Sequence, residues 1–285
     1  GGNFKGDDTL KKSKLLNAIK NFVRIQTGKN IPVRYSTKSD QSYTDGRTIT
    51  ISADVDDNFD STVGVALHEA SLIVKTDFNI LRKLAEHPQS VVEKKYHEYT
   101  NLLKQMLNWT EDRWIDNWSY RTAPGYKNYY LELYKRYFHA PMIDDIIKSG
   151  MRIDSSTGSL VPTTEETVEN YMFYLINLTN PNVKLGELKG LKEIWDLVDL
   201  KNIDRQKNTK DNLDLTIKVY DIIDKYVSKQ NMQQNNNSNP MWNNRFGDDA
   251  DDDGTEFDGD LEELLKNMKP GNGGKPIRLS KRNRE

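Results

Sequence analysis

Hydrophobic and polar positions in the first part of the chain predict a helix followed by a small β-hairpin. Asp8 can cap a helix whose apolar positions, from Leu15 to Ile25, recur with helical spacing. Ile31 to Ser36 alternates like a strand. Asp45-Gly46 is a hairpin-turn signal, and a second alternating strand, Thr48 to Ser52, follows it.

The next predicted helix begins near Asp60 and is apolar on nearly every side. Its apolar positions are Val63, Val65, Ala66, Leu67, Ala70, Ile73 and Val74. A helix of this kind is expected to be largely buried. His68 and Glu69 lie in its middle, where they need partners, because burial without a partner costs about 1 to 3 kcal/mol per polar group.

The chain from there to about Ser228 is predicted to be mainly helical. Helices are predicted over about Phe78 to Glu86, Val91 to Leu107, Trp109 to Tyr120 and Tyr126 to Phe138, with less distinct segments afterwards. Breaks are indicated at Ala123-Pro124-Gly125 and at Pro181. Glu111 shares one helical face with Trp114, Ile115 and Trp118, so we expect its carboxylate to face inward.

The composition changes from about Gln230. An Asn/Gln-rich stretch leads into an acidic run, Asp248 to Glu263, and then into a Gly/Pro/basic end. This segment is too polar to offset its ordering entropy, so we expect it to be disordered when alone. The spacing of Leu261, Leu264, Leu265 and Met268 suits one short helix on a partner. We therefore predict three parts, residues 1–140, 141–229 and 230–285.

Composition excludes several classes of function. The chain of 285 residues has a net charge of −2, which argues against a general nucleic-acid binder. No segment approaches the roughly 20 apolar residues that span a bilayer, and no apolar signal core is present. The sequence therefore predicts a soluble, intracellular protein. Because it begins with Gly1-Gly2 and not with Met, we expect a trimmed chain.

The candidate chemistry lies in His68-Glu69-Ala70-Ser71-Leu72, an H-E-x-x-H motif whose second histidine is replaced by Leu72. In the intact motif two imidazoles one helical turn apart hold zinc, and the Glu activates the metal-bound water. The chain has no Cys, so only His, Asp and Glu remain as side-chain ligands. The alternative is a metal-free core histidine with Glu69 or Glu111 as its partner.

A second candidate segment runs from Asn108 to Asp116. An inward carboxylate on a later helix is where a zinc hydrolase of this type finds its third ligand, and Glu111 has that position. The alternative is an ordinary helix in which Glu111 or Asp112 pairs with Arg113 or a nearby Lys.

Together these segments resemble a known family. His68 to Phe78 is similar to the H-E-x-x-H-x-x-x-T/S-D-F segment of the metallopeptidase-like domains that accompany von Willebrand factor A domains in phage and bacterial proteins, relatives of a cobaltochelatase subunit. Asn108 to Asp116 is similar to their N-x-x-E-D segment, and Ala123 to Tyr130 resembles the phage branch. The resemblance implies a zincin-like core in residues 1–140, with a metal held by His68, position 72, Glu111 and Asp112.

Leu72 departs from this pattern because leucine has no lone pair to give a metal. Asp77 is out of phase with His68, and His87, His97 and His139 could fill the gap only in principle. The resemblance then implies a vestigial site, with Glu69 as general base only if a metal is bound. We expect no cofactor, or zinc if the site works.

The acidic run also contains Asp249-Ala250-Asp251-Asp252-Asp253-Gly254 followed by Asp260, which imitates a calcium loop. Glu256 stands at the position that is usually apolar, and Asp260 replaces the bidentate Glu, so we favour a solvated linker or an interaction tail.

The sequence therefore predicts an α+β protein, mainly α-helical, with a zincin-like core, a small β-hairpin, a helical subdomain and a disordered acidic tail. The resemblance implies a catalytically degenerate, phage-encoded structural or adaptor protein in the host cytoplasm or the virion. Virion proteins are expected partners through the tail. The alternatives are an active zinc metallohydrolase with a nonstandard site, and a subunit that works with an AAA-type ATPase.

Overall fold

The computed structural model describes residues 30–36, 41–52, 59–122, 125, 127–154 and 156–228, together with 17, 20, 21, 24, 25, 28, 254–256 and 278–279. These residues are mainly helical and include two small sheets, which confirms the predicted α+β, mainly helical class. Within this part of the chain, no helix combines the length and the apolar character that a membrane crossing needs. The predicted first helix, after Asp8, lies mostly outside the described residues.

The helices follow one another through most of the described chain. They are α1 (Phe59–Lys75), α2 (Phe78–Glu86), α3 (Thr100–Thr122), α4 (Lys127–Tyr137), α5 (Pro141–Ser149), α6 (Val168–Ile176), α7 (Leu191–Val198), α8 (Leu200–Arg205) and α9 (Thr209–Tyr226). Short 3-10 turns lie at Pro88–Ser90 and Lys94–Tyr99.

The predicted bounds of α2 and α4 are confirmed, within one residue at each end of α4. The prediction of two helices meeting near Asn108 was wrong, because α3 runs through that position without a break. Relative to alanine, one asparagine costs a helix less than about 1 kcal/mol. The burial of the surrounding residues outweighs this cost.

The strands are β1 (Val33–Ser36), β2 (Gln41–Thr44), β3 (Ile49–Ser52), β4 (Met151–Ile153), β5 (Leu160–Pro162), β6 (Gly254–Glu256) and β7 (Arg278–Leu279). A five-stranded sheet has the order β6-β1-β3-β2-β7, and β4 pairs with β5 in a separate hairpin. In the tail, which we predicted to be disordered, β6 and β7 are paired strands, because β1 and β2 offer them backbone partners at the sheet edges. The other tail residues lie outside the described part.

The hairpin differs from the one predicted. β3 pairs antiparallel with β2 and parallel with β1, so the strand at Ile31 to Ser36 is not the hairpin partner. Asp45 makes the turn, since its Oδ1 accepts hydrogen bonds from the backbone N–H groups of Arg47 and Thr48 at 2.8 Å. The sequence of β2 is polar throughout, which hid it from a search for alternating apolar residues.

Helix α3 occupies the centre of the molecule. Its residues are buried almost all round, and α1, α2, α8 and α9 lie against it. One hydrophobic cluster joins residues from both sides of the predicted boundary at residue 140, among them Leu72, Ile115, Tyr171 and Val219. The division at residue 140 stays a prediction, but the two parts share this core.

Gly64 sets the closest approach between α1 and α4. A Cβ atom placed there would lie 2.6 Å from the carbonyl oxygen of Tyr129 and 2.9 Å from the Cβ of Leu133. Because the helices would have to separate, we expect Gly64→Ala to lower the free energy of unfolding by about 1 to 3 kcal/mol. Urea unfolding measures this. Gly186→Ala is the control, since nothing lies within 4 Å of a Cβ atom placed at that position. An equal loss in the free energy of unfolding for both variants would contradict the tight packing at Gly64.

Candidate functional site

The His68 ring lies between two carboxylates of α3. Its Nδ1 is 2.6 Å from Asp116 Oδ1, and its Nε2 is 3.1 Å from Asp112 Oδ1. Asp112 and Asp116 are one helical turn apart, so both face the same side of α3. The His68 side chain is almost fully buried, so both of its ring nitrogens meet protein groups.

Asp116 extends this cluster to a third helix. Its Oδ2 accepts a hydrogen bond of 2.7 Å from the hydroxyl of Tyr134 on α4. Nearby, the Oγ of Ser71 lies 2.5 Å from the Oγ of Ser119 and 3.2 Å from the hydroxyl of Tyr130. These side chains of α1, α3 and α4 thus hydrogen-bond one another in the interior.

The two carboxylates decide the charge of His68. Burial alone would lower the pKa of the imidazole, but Asp116 and Asp112 outweigh it and raise the pKa well above its usual value. The ring is therefore protonated, and each N–H faces a carboxylate oxygen. Burial and the neighbouring Asp116 also raise the pKa of Tyr134, so its hydroxyl keeps the proton it donates.

Glu111 belongs to a different cluster. Its Oε1 accepts a hydrogen bond from Asn212 Nδ2 at 2.7 Å, and its Oε2 accepts from the hydroxyls of Thr76 at 2.9 Å and Thr209 at 3.4 Å. Burial raises the pKa of Glu111 to about 7, although the hydrogen bonds from Asn212 and Thr76 act to lower it. This carboxylate therefore ties α3 to α9 and to the end of α1.

The structure brings together only part of the predicted site. His68 and Asp112 meet, whereas the Glu111 carboxylate is bound by Thr76, Thr209 and Asn212. Leu72 is buried in the hydrophobic core, and Glu69 is also buried.

The other candidate ligands have roles of their own. Asp77 caps α2 by accepting from the N–H of Asn79, and His87 ends that helix. His97 Nε2 lies 3.1 Å from the carbonyl of Val92, and His139 Nε2 lies 3.4 Å from the hydroxyl of Thr179.

Sequence reasoning missed the roles of Asp116 and Tyr134. The spacing of four residues between Asp112 and Asp116 was a usable signal, because it places both carboxylates on one helical face. Nothing near Tyr134 in the sequence indicated its bond to Asp116.

A small pocket of about 30 Å³ opens beside the His68 cluster, with room for about one water molecule. Arg113 forms part of its wall. The guanidinium carbon lies over the rings of Trp109 and Trp195, at 5.9 and 5.5 Å from the ring centres, and Arg113 Nε donates to the carbonyl of Val198 at 2.8 Å. Arg113 thus joins α3 to α7.

The donor set does not fit a catalytic zinc ion. Such an ion takes three protein ligands. Here His68 Nε2 and Asp112 Oδ1 converge, Leu72 offers no donor, and Glu111 is bound elsewhere. Among the residues that the structure describes, no group of three His, Cys, Asp or Glu side chains could hold a metal.

Comparisons with protein-family models, with curated proteins and with solved structures found no match for this chain. The resemblance to the metallopeptidase-like family therefore stays a prediction from the motifs.

Proposed function

We propose that this protein is a zincin-like domain that no longer performs catalysis and serves as a phage-encoded structural or adaptor component. The observation that carries the proposal is the environment of His68. Both of its ring nitrogens face carboxylates, from Asp112 and Asp116, and the position one turn later is a core leucine. A histidine can ligate a metal only through a ring nitrogen that has a free lone pair.

The proposal also accounts for Glu69. In an intact H-E-x-x-H helix this residue acts on a metal-bound water, a role that requires the complete set of metal ligands. What remains is a polar cluster that holds three helices in one arrangement. A rigid body of this kind suits a structural role, in which the acidic tail would contact virion proteins.

The test is the zinc content and peptidase activity of the full chain purified without chelator. We expect substoichiometric zinc and no cleavage of casein, with or without added zinc. Glu69→Gln is the matched variant, and it should behave like the wild type in both assays. Stoichiometric zinc together with proteolysis that Glu69→Gln abolishes would overturn the proposal in favour of an active metallohydrolase.

A further inference from the structure

The hairpin of β4 and β5 carries an apolar face that the described part of the chain leaves exposed. Ile153 and Leu160 lie opposite each other on the two strands, and their side chains are 67% and 66% exposed. Met151, two residues before Ile153 and on the same face, is 36% exposed. We propose that this hairpin is an interface between two copies of the chain, which pair antiparallel along β4 about a two-fold axis at Ile153.

The first support is the open edge of β4. The backbone N–H of Asp154 donates to the carbonyl of Ser159 at 2.8 Å, one residue beyond the paired strands. Bonded positions alternate in an antiparallel pair, so Arg152 bonds to β5, whereas the N–H and C=O groups of Ile153 point away from it. Ile153 therefore presents one donor and one acceptor at the edge of the sheet, where a second antiparallel strand can pair.

Side chains close the edge positions near the base of the hairpin. The Oγ of Ser149 accepts from the N–H of Met151 at 3.2 Å and lies 3.3 Å from the carbonyl oxygen of the same residue. On β5, Pro162 has no N–H, and its carbonyl accepts from Asn170 Nδ2 at 2.9 Å. Ile153 is the position of β4 that these bonds leave open, which fixes the register of the pairing.

The second support is the order of charges on β4. When two copies pair antiparallel about Ile153, Arg152 of one copy lies directly opposite Asp154 of the other, and the two-fold axis forms this pair twice. Opposite charges at directly opposed positions stabilise a sheet, and like charges destabilise it. The charges of β4 are therefore complementary to those of a second β4, which favours a second copy as the partner.

Both charged side chains are already held within their own copy. Arg152 Nε donates to Asn170 Oδ1 at 2.8 Å, and Asp154 Oδ1 accepts from the N–H and the hydroxyl of Ser156 at 2.8 and 2.7 Å. A guanidinium has five N–H donors, so Arg152 can bond Asn170 and a second acceptor together. Side chains that are fixed before association lose less conformational entropy when the two copies meet.

The third support is the apolar row that the pairing makes continuous. Directly opposed residues share one face of a sheet, so Leu160 and Ile153 of both copies form one row across four strands. Ile153 then packs against Ile153 of the second copy. This contact is small beside the roughly 20 to 30 residues per side of a standard interface, so we expect a weak dimer whose population rises with protein concentration.

The test compares two charge variants of the full chain by sedimentation velocity over a series of protein concentrations. Arg152→Asp opposes two acids at each crossing, and Asp154→Arg opposes two bases, so each variant alone should stay monomeric where the wild type dimerises. An equimolar mixture of the two variants restores both opposite-charge pairs. We expect the mixture to dimerise about tenfold more tightly than either variant alone.

A second pair of variants tests the apolar contact. Ile153→Lys places two ammonium groups at the axis and should weaken the dimer about tenfold. Leu131→Lys is the matched control, because it makes a similar change at an exposed apolar side chain of α4, which is 52% exposed. This control should dimerise like the wild type.

Three results would overturn the proposal. The first is a wild type that stays monomeric at every concentration. The second is a mixture of the charge variants that stays monomeric although circular dichroism shows that both chains are folded. The third is equal dimerisation of Ile153→Lys and the wild type. If a charge variant fails to fold, the comparison of Ile153→Lys with Leu131→Lys decides the outcome by itself.

Discussion

Asp116→Asn is expected to lower the free energy of unfolding by about 3 to 5 kcal/mol at pH 7, because it removes one partner of a buried ion pair. The carboxylate is buried and accepts from both His68 Nδ1 and the hydroxyl of Tyr134. An amide carries no charge and can present only one oxygen, so one of these donors loses its acceptor. Urea unfolding followed by circular dichroism measures the loss.

Asp214→Asn is the matched control for this variant. Asp214 also lies on a helix and pairs with a base, Lys210, at 2.7 Å, but both side chains are about half exposed. An exposed pair of this type contributes at most about 0.5 kcal/mol. A loss below about 1 kcal/mol for Asp116→Asn would contradict the buried ion pair, because that is the range of a surface contact.

Glu111→Gln is expected to flatten the dependence of stability on pH between about 4.5 and 7. The pKa of Glu111 is raised from 4.5 to about 7 in the folded protein, so the folded state keeps a proton that the unfolded chain has already released. Stability from this group is therefore greatest below pH 4.5 and falls as the pH rises to 7, by about 3 kcal/mol in total. Glutamine does not titrate, and it can bond the same three neighbours.

The measurement is the free energy of unfolding of both chains at intervals from pH 4 to pH 8. Glu93→Gln is the control, because it makes the same substitution at an exposed side chain. The pKa of His68 is raised above its ordinary value of 6.5, so this group changes the stability at higher pH than Glu111 does. The stabilising charge on the imidazole is lost as the pH rises through the raised pKa. A wild-type free energy of unfolding that stays constant from pH 4.5 to 7 would contradict the raised pKa of the buried Glu111.

Local chemistry made much of the fold predictable. The period of the apolar residues gave α2 and α4, and the Asp45-Gly46 signal located the turn before β3. The parallel pairing of β1 with β3 was not predictable, because register between separated strands depends on packing across the whole sheet. The polar strand β2 carries no apolar alternation, so it gave no signal at all.

The site was predictable only where its residues are close in sequence. The His68 helix and the segment around Glu111 and Asp112 were found from their motifs. Which of the carboxylates of Glu111 and Asp112 meets His68 depends on the rotation of α3 relative to α1, and no local sequence pattern gives this rotation. The bond from Tyr134 to Asp116 joins two helices, and the bond from Asn212 to Glu111 spans about a hundred positions, so only the folded chain reveals either one.

The contacts of Arg113 with Trp109 and Trp195 have a consequence for whether the first 140 residues could fold without the rest of the chain. A gene fragment ending near residue 140 would encode an Arg113 without its acceptor at Val198, and a Glu111 without Asn212 and Thr209. Two ionisable groups would then lose the neighbours that make their burial tolerable. A chain cut near residue 140 is therefore expected to be less stable than the full chain, because each part supplies partners for buried groups of the other.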